Sequence, residues 1–94
     1  MNQITLSMLR KKIDFLNEIT GNPLQPWETT PNGIRAAVGN YHLSGAYGGY
    51  SLHRHVTEGG GITDIFSRGH MPKRELYELI CAYISGIETK LNKD

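Results

Sequence analysis

The sequence predicts an α+β domain, with a small three-stranded antiparallel meander flanked by an N-terminal and a C-terminal helix. Three observations carry this. Apolar residues recur at three- and four-residue steps near both ends of the chain, the middle alternates apolar and polar residues, and glycine-rich turns punctuate that middle. Parallel crossovers would need more residues than these loops offer, so the strands are expected to be antiparallel.

Leu6 to Thr20 reads as the first helix. Leu6, Leu9, Ile13 and Leu16 form one stripe, widened by Met8, Phe15 and Ile19, while Ser7, Arg10, Lys11, Asp14, Asn17 and Glu18 cover the other side. Thr5 is placed to cap its start, and Gly21 to end it in a left-handed conformation. Pro23 and Pro26 exclude regular structure through "NPLQPW", which reads as an extended apolar strap with Trp27 plugging the edge of the core. "TPNG" is a turn.

Ile34 to Val38 is expected as the first strand, with Ile34, Ala36 and Val38 on one face. Tyr41 to Leu43 continues it past a bulge at Gly39-Asn40. "SGAYGG" reads as a bend. Tyr50 to Val56 is the clearest strand: Tyr50, Leu52 and Val56 point one way, and Ser51, His53 and His55 the other, toward solvent or a partner. "EGGG" leads by a hairpin to a third strand at Ile62–Phe66. After Pro72, Lys73 to about Leu91 carries the strongest helical pattern, through Leu76, Leu79, Ile80, Tyr83, Ile84, Ile87 and Leu91. Gly86 within it costs about 1 kcal/mol against alanine, and close approach of another backbone or a weak helix end would account for it.

The 94 residues make a single domain with a small core. A net charge of +1 speaks against binding nucleic acid chiefly through phosphates. Cys81 is the only cysteine; it excludes an internal disulfide, suits a reducing cytoplasm and reads as an apolar filler. Neither a signal peptide nor a membrane span is expected, because charged residues interrupt every apolar run.

His53 and His55 share a strand face and can converge on a metal ion, with His42 or His70 as a third ligand and Glu58 or Asp64 supplying an oxygen. An exposed strand face that carries histidines is the competing reading, and no metal or other cofactor is expected. The glycine runs match neither a P-loop nor a dinucleotide fingerprint. Arg68, His70, Lys73 and Arg74 cluster at the start of the last helix, where an anion can bind, and Tyr41, Tyr47 and Tyr50 offer stacking surfaces for single-stranded nucleic acid. No serine lies in a nucleophile motif, no paired carboxylates stand out, and catalysis is not expected.

"LNEITGNPLQPW", "GNYHLSGAYGGYSLHRHVTEGGG" and "GHMPKRELYELICAYISGIE" together resemble a group of small uncharacterised proteins encoded by bacteriophages and prophages. The resemblance spans residues 16–88 and implies an accessory protein made in a bacterial cytoplasm. It carries no activity over to any residue. The function expected is a non-catalytic binding module acting on a host protein. A nucleic-acid-binding module at the basic helix start is the alternative, and metal binding at His53 and His55 a weaker one. A homodimer is possible, because a three-stranded sheet leaves open edges. The surface residues expected to matter are His53, His55, Arg68, His70, Lys73 and Arg74.

Overall fold

The fold is described from a computed structural model for residues 3–92. Helix α1 spans Leu6–Thr20 and helix α2 spans Lys73–Leu91. Thr5 caps α1 as expected, its hydroxyl accepting the Met8 N–H at 3.1 Å. Gly21 closes α1 at φ 70°, in the left-handed region. Leu9, Ile13 and Leu16 of α1 and Leu76, Ile80 and Ile84 of α2 form the buried stripes, while Leu6, Phe15 and Leu91 at the margins stay exposed.

Between the helices lie five antiparallel strands in two sheets. Strands β1 (Trp27–Thr30) and β2 (Gly33–Ala36) form a two-stranded ribbon around the "TPNG" turn. Strands β3 (Tyr41–Ala46), β4 (Gly49–His55) and β5 (Ile62–Asp64) form a sheet in the order β3-β4-β5. The meander is therefore present, but its first strand begins at Tyr41. The segment read as a strand at 34–38 pairs instead with the end of the proline strap. Ile34 is 73% exposed, so it belongs to no buried face. Alternation of apolar residues does not by itself bury them.

Both helices cover one face of the β3-β4-β5 sheet. Tyr41 and Leu52 meet Leu9, Leu16, Leu76 and Ile80 there, with Leu43 and Tyr50 packed alongside. Arg54, which interrupts that face, lies over the Tyr41 ring at 4.9 Å and donates to the Gly39 carbonyl. The Tyr41 hydroxyl bonds that of Tyr83 at 3.0 Å. Burial, aided by this bond, pushes the Tyr41 phenol up to about 12.

The β3–β4 connection is a two-residue hairpin turn, Tyr47-Gly48, not a broad bend. Both residues have positive φ, 54° and 75°, as a type I′ turn requires. Such a turn fixes the register, which sets His42 opposite His53 and Ser44 opposite Ser51. Gly49 follows. A β-carbon there would come within 3.0–3.1 Å of the backbone at His70 and Met71, so only glycine lets that loop pair with Tyr50. Among the described residues nothing outside its own helix backbone would lie within 4 Å of a β-carbon at Gly86, which removes the close-approach explanation for it.

Candidate binding face

The sheet face away from the helices carries His42 and Ser44 from β3, Ser51, His53 and His55 from β4, and Asp64 from β5. The loop pinned by Gly49 adds His70, whose Nε2 lies 3.1 Å from the Ser44 hydroxyl. All four histidines thus gather on one face. Tyr47 extends the group at the hairpin tip, and Trp27 of the ribbon at the other end.

The rings form a continuous row. Successive centroid separations are 6.2 Å for Tyr47–His70, 6.1 Å for His70–His53, 6.0 Å for His53–His42, 4.5 Å for His42–His55 and 4.9 Å for His55–Trp27. These spacings are those of contacting aromatic groups. The ends are open, with Tyr47 fully exposed and Trp27 about half exposed (51%), whereas His55 in the middle is only 3% exposed. Trp27 therefore covers His55 instead of plugging the helix-side core. The expectation that His53 and His55 both face solvent or a partner holds for half-buried His53 and not for His55.

Burial is the main reason His42 is held below the ordinary histidine range, with charge on His55 and His53 adding to it against an opposing hydrogen bond that the ring donates to the Asn40 backbone. Burial also lowers His53, against the opposing charge of Asp64. His42 Nδ1 lies 3.1 Å from Asn40 Oδ1, which orients that ring. The buried Nδ1 of His55 has no hydrogen-bond partner among the described residues. Asp64 is occupied from two sides, by the Ser51 hydroxyl and by the Gly69 N–H, both at 3.1 Å.

Among the described residues no three His, Cys, Asp or Glu side chains are arranged to hold a metal ion. Glu58, one of the oxygen ligands considered above, instead pairs with Arg35 at 3.4 Å. Arg68 forms an exposed ion pair with Glu75 at 3.4 Å, and Lys73 and Arg74 open α2. Of the six surface residues the sequence singled out, His53, His55 and His70 come together in the row; the three basic residues belong to the loop and the helix start beyond it. Of the three tyrosines read as stacking surfaces, Tyr41 is buried on the helix side and Tyr50 is half buried there, which leaves Tyr47. Trp27 was read in sequence as a core plug, and His42 only as a possible third ligand beside His53 and His55. The signal for His42 lies in the turn: with Tyr47-Gly48 as a two-residue hairpin, counting back along both arms pairs His42 with His53.

The chain matches no protein-family model, no curated protein and no solved structure. No helix among the described residues is long and apolar enough to cross a membrane.

Proposed function

We propose that the protein is a non-catalytic binding module that engages a protein partner through the ring row, in the manner of a phage-type accessory protein acting in a bacterial host cell. The observation that carries this is Tyr47. A tyrosine at φ 54° is conformationally costly, and a fully exposed aromatic ring that meets only the edge of His70 gains little from folding. A cost kept at the tip of an otherwise well-formed hairpin, at the open end of a row of rings, is what a contact residue would impose. Tyrosine and tryptophan are the residues that most often anchor protein interfaces.

Charge favours protein over nucleic acid. Arg35 is held between Glu28 and Glu58, Arg68 pairs with Glu75, and His42 and His53 are biased toward the neutral form. A face so neutral offers little to a phosphate backbone. Asp64 is engaged by Ser51 and Gly69, and among the described residues no hydrogen bond from a carboxylate orients His70 against Ser44, as a catalytic base would require.

Affinity capture from nuclease-treated bacterial lysate tests the proposal, comparing the wild type with Tyr47→Ser. One protein species retained by the wild type and reduced about tenfold or more by the substitution is the expected result. Retention that disappears with nuclease, or that is indifferent to Tyr47→Ser, overturns it.

A further inference from the structure

The free edge of the β3-β4-β5 sheet gives the binding reading a specific form. His55 donates its N–H to the Asn40 carbonyl at 3.0 Å, which fixes the alternation of the β3–β4 ladder. His42, Ser44 and Ala46 face β4 with their backbone groups, and Tyr41, Leu43 and Gly45 turn theirs outward. On the far side of β4 the same alternation holds, where Leu52 accepts from Ile65 and Tyr50 exchanges two bonds with Met71. At Tyr41 the outward edge is closed: Asn17 of α1 accepts the Tyr41 N–H at 2.8 Å and donates to its carbonyl at 3.0 Å, as a neighbouring strand would. At Leu43 and Gly45 the outward N–H and C=O groups have no partner among the described residues.

This edge also lacks the usual protection. β3 reads Tyr-His-Leu-Ser-Gly-Ala, with no lysine, no carboxylate and no proline. Its first half, Tyr41 to Leu43, borders a cleft of about 450 Å³, within the range of binding pockets generally, and Gly45 lies just beyond it. Arg10 and Asp14 of α1 line one side of the cleft, and Leu24 and Trp27 of the strap and ribbon line the other. Arg10 and Asp14, one turn apart on α1, form no ion pair within 4 Å among the described residues, so this wall presents an accessible charge of each sign. Trp27 and His42 belong both to the cleft and to the ring row, so the two surfaces are continuous.

We propose that the cleft and the open β3 edge that continues past it to Gly45 receive an extended peptide segment of the partner protein as an added strand, a mode that rests on the binding reading above. The main chain of such a segment meets the N–H and C=O groups of Leu43 and Gly45. Its side chains alternate between two walls: charged residues of both signs toward Arg10 and Asp14, apolar or aromatic ones toward Leu24 and Trp27. A second copy of the chain offering its own β3 fits less well, because α1 and the strap wall the edge on both sides.

A random-decapeptide display library panned on the full chain tests this, followed by amide hydrogen exchange with one selected synthetic peptide. Selected sequences with apolar–charged alternation are expected, and bound peptide should slow exchange at Leu43 and Gly45 by about tenfold or more. Gly45→Pro removes an outward N–H that no ladder bond uses, and should weaken the peptide by about tenfold. Arg10→Glu, on an exposed helix position, reaches the same wall without touching the strand and should select peptides of altered charge. Three results overturn the proposal: no peptide enriched, an enriched peptide that leaves Leu43 and Gly45 unprotected, or protection that rises with protein concentration alone, the mark of a second copy. In each case loss of lysate capture by Tyr47→Ser would still uphold the ring row, so the two readings fail separately.

Discussion

Asn17 shows how much one side chain can organise. On the helical wheel it belongs to the polar side of α1, yet it is fully buried, with its amide spanning the backbone N–H and C=O of Tyr41. Replacing it by leucine of similar size would leave both backbone groups buried and unpaired. Asn17→Leu should therefore cost about 2–4 kcal/mol in urea unfolding, although leucine is the better helix former. A loss below about 1 kcal/mol would mean that water or a shifted helix satisfies Tyr41. Tyr47 presents the opposite case. Tyr47→Asn supplies the residue that a type I′ turn prefers before glycine and should raise stability by about 0.5–1 kcal/mol while weakening partner capture. Greater stability with capture intact would show that the strained tyrosine serves no contact.

At the scale of elements, the two helices were legible in the sequence and the small ribbon was not. The helices bury continuous three-and-four stripes, and Thr5, Gly21 and Pro72 mark their ends. The ribbon buries almost nothing, so Trp27–Thr30 carries no periodic signal; its pairing follows from the turn and from Thr30, whose hydroxyl donates to the Gly33 carbonyl and accepts the Asn32 N–H. The face shared by His53 and His55 was legible from strand alternation. His70 was raised only as one of two candidates to join it, because a loop residue has no period and its place depends on Gly49 beneath it. Gly86 is a helix position with open space around it, so Gly86→Ala should stabilise α2 by up to about 1 kcal/mol and raise Tm by a few degrees, measurable by calorimetry.

The sheet also fixes a pH dependence. His42 and His53 have folded-state pKa values below the ordinary 6.5, so near and below that value the unfolded chain binds protons that the folded chain resists. Their contribution to stability is complete above pH 6.5 and is lost progressively as the pH falls through 6.5 toward the lowered folded values. Chemical denaturation between pH 8 and pH 5 should show this fall, and a His42→Gln, His53→Gln double variant should show a shallower one. Equal slopes in the two proteins would remove the assignment to these rings.

For the whole molecule, the division of labour runs through the β3-β4-β5 sheet. One face is spent on the core, where Tyr41 and Leu52 meet both helices. The ribbon, through Trp27 on His55, and the loop that brings His70 lie against the opposite face. A chain of 94 residues has stability of only about 5–14 kcal/mol, so placing four histidines, an orphaned imidazole nitrogen and a strained tyrosine together is a substantial concession. The proposed binding role depends on the rings being contiguous. A NOESY spectrum of protein labelled at its aromatic and histidine rings tests that most directly. Cross-peaks linking Tyr47 to His70, His70 to His53, His53 to His42, His42 to His55 and His55 to Trp27 are predicted. Histidine rings with cross-peaks only to their own strand neighbours, and none to one another, would contradict it.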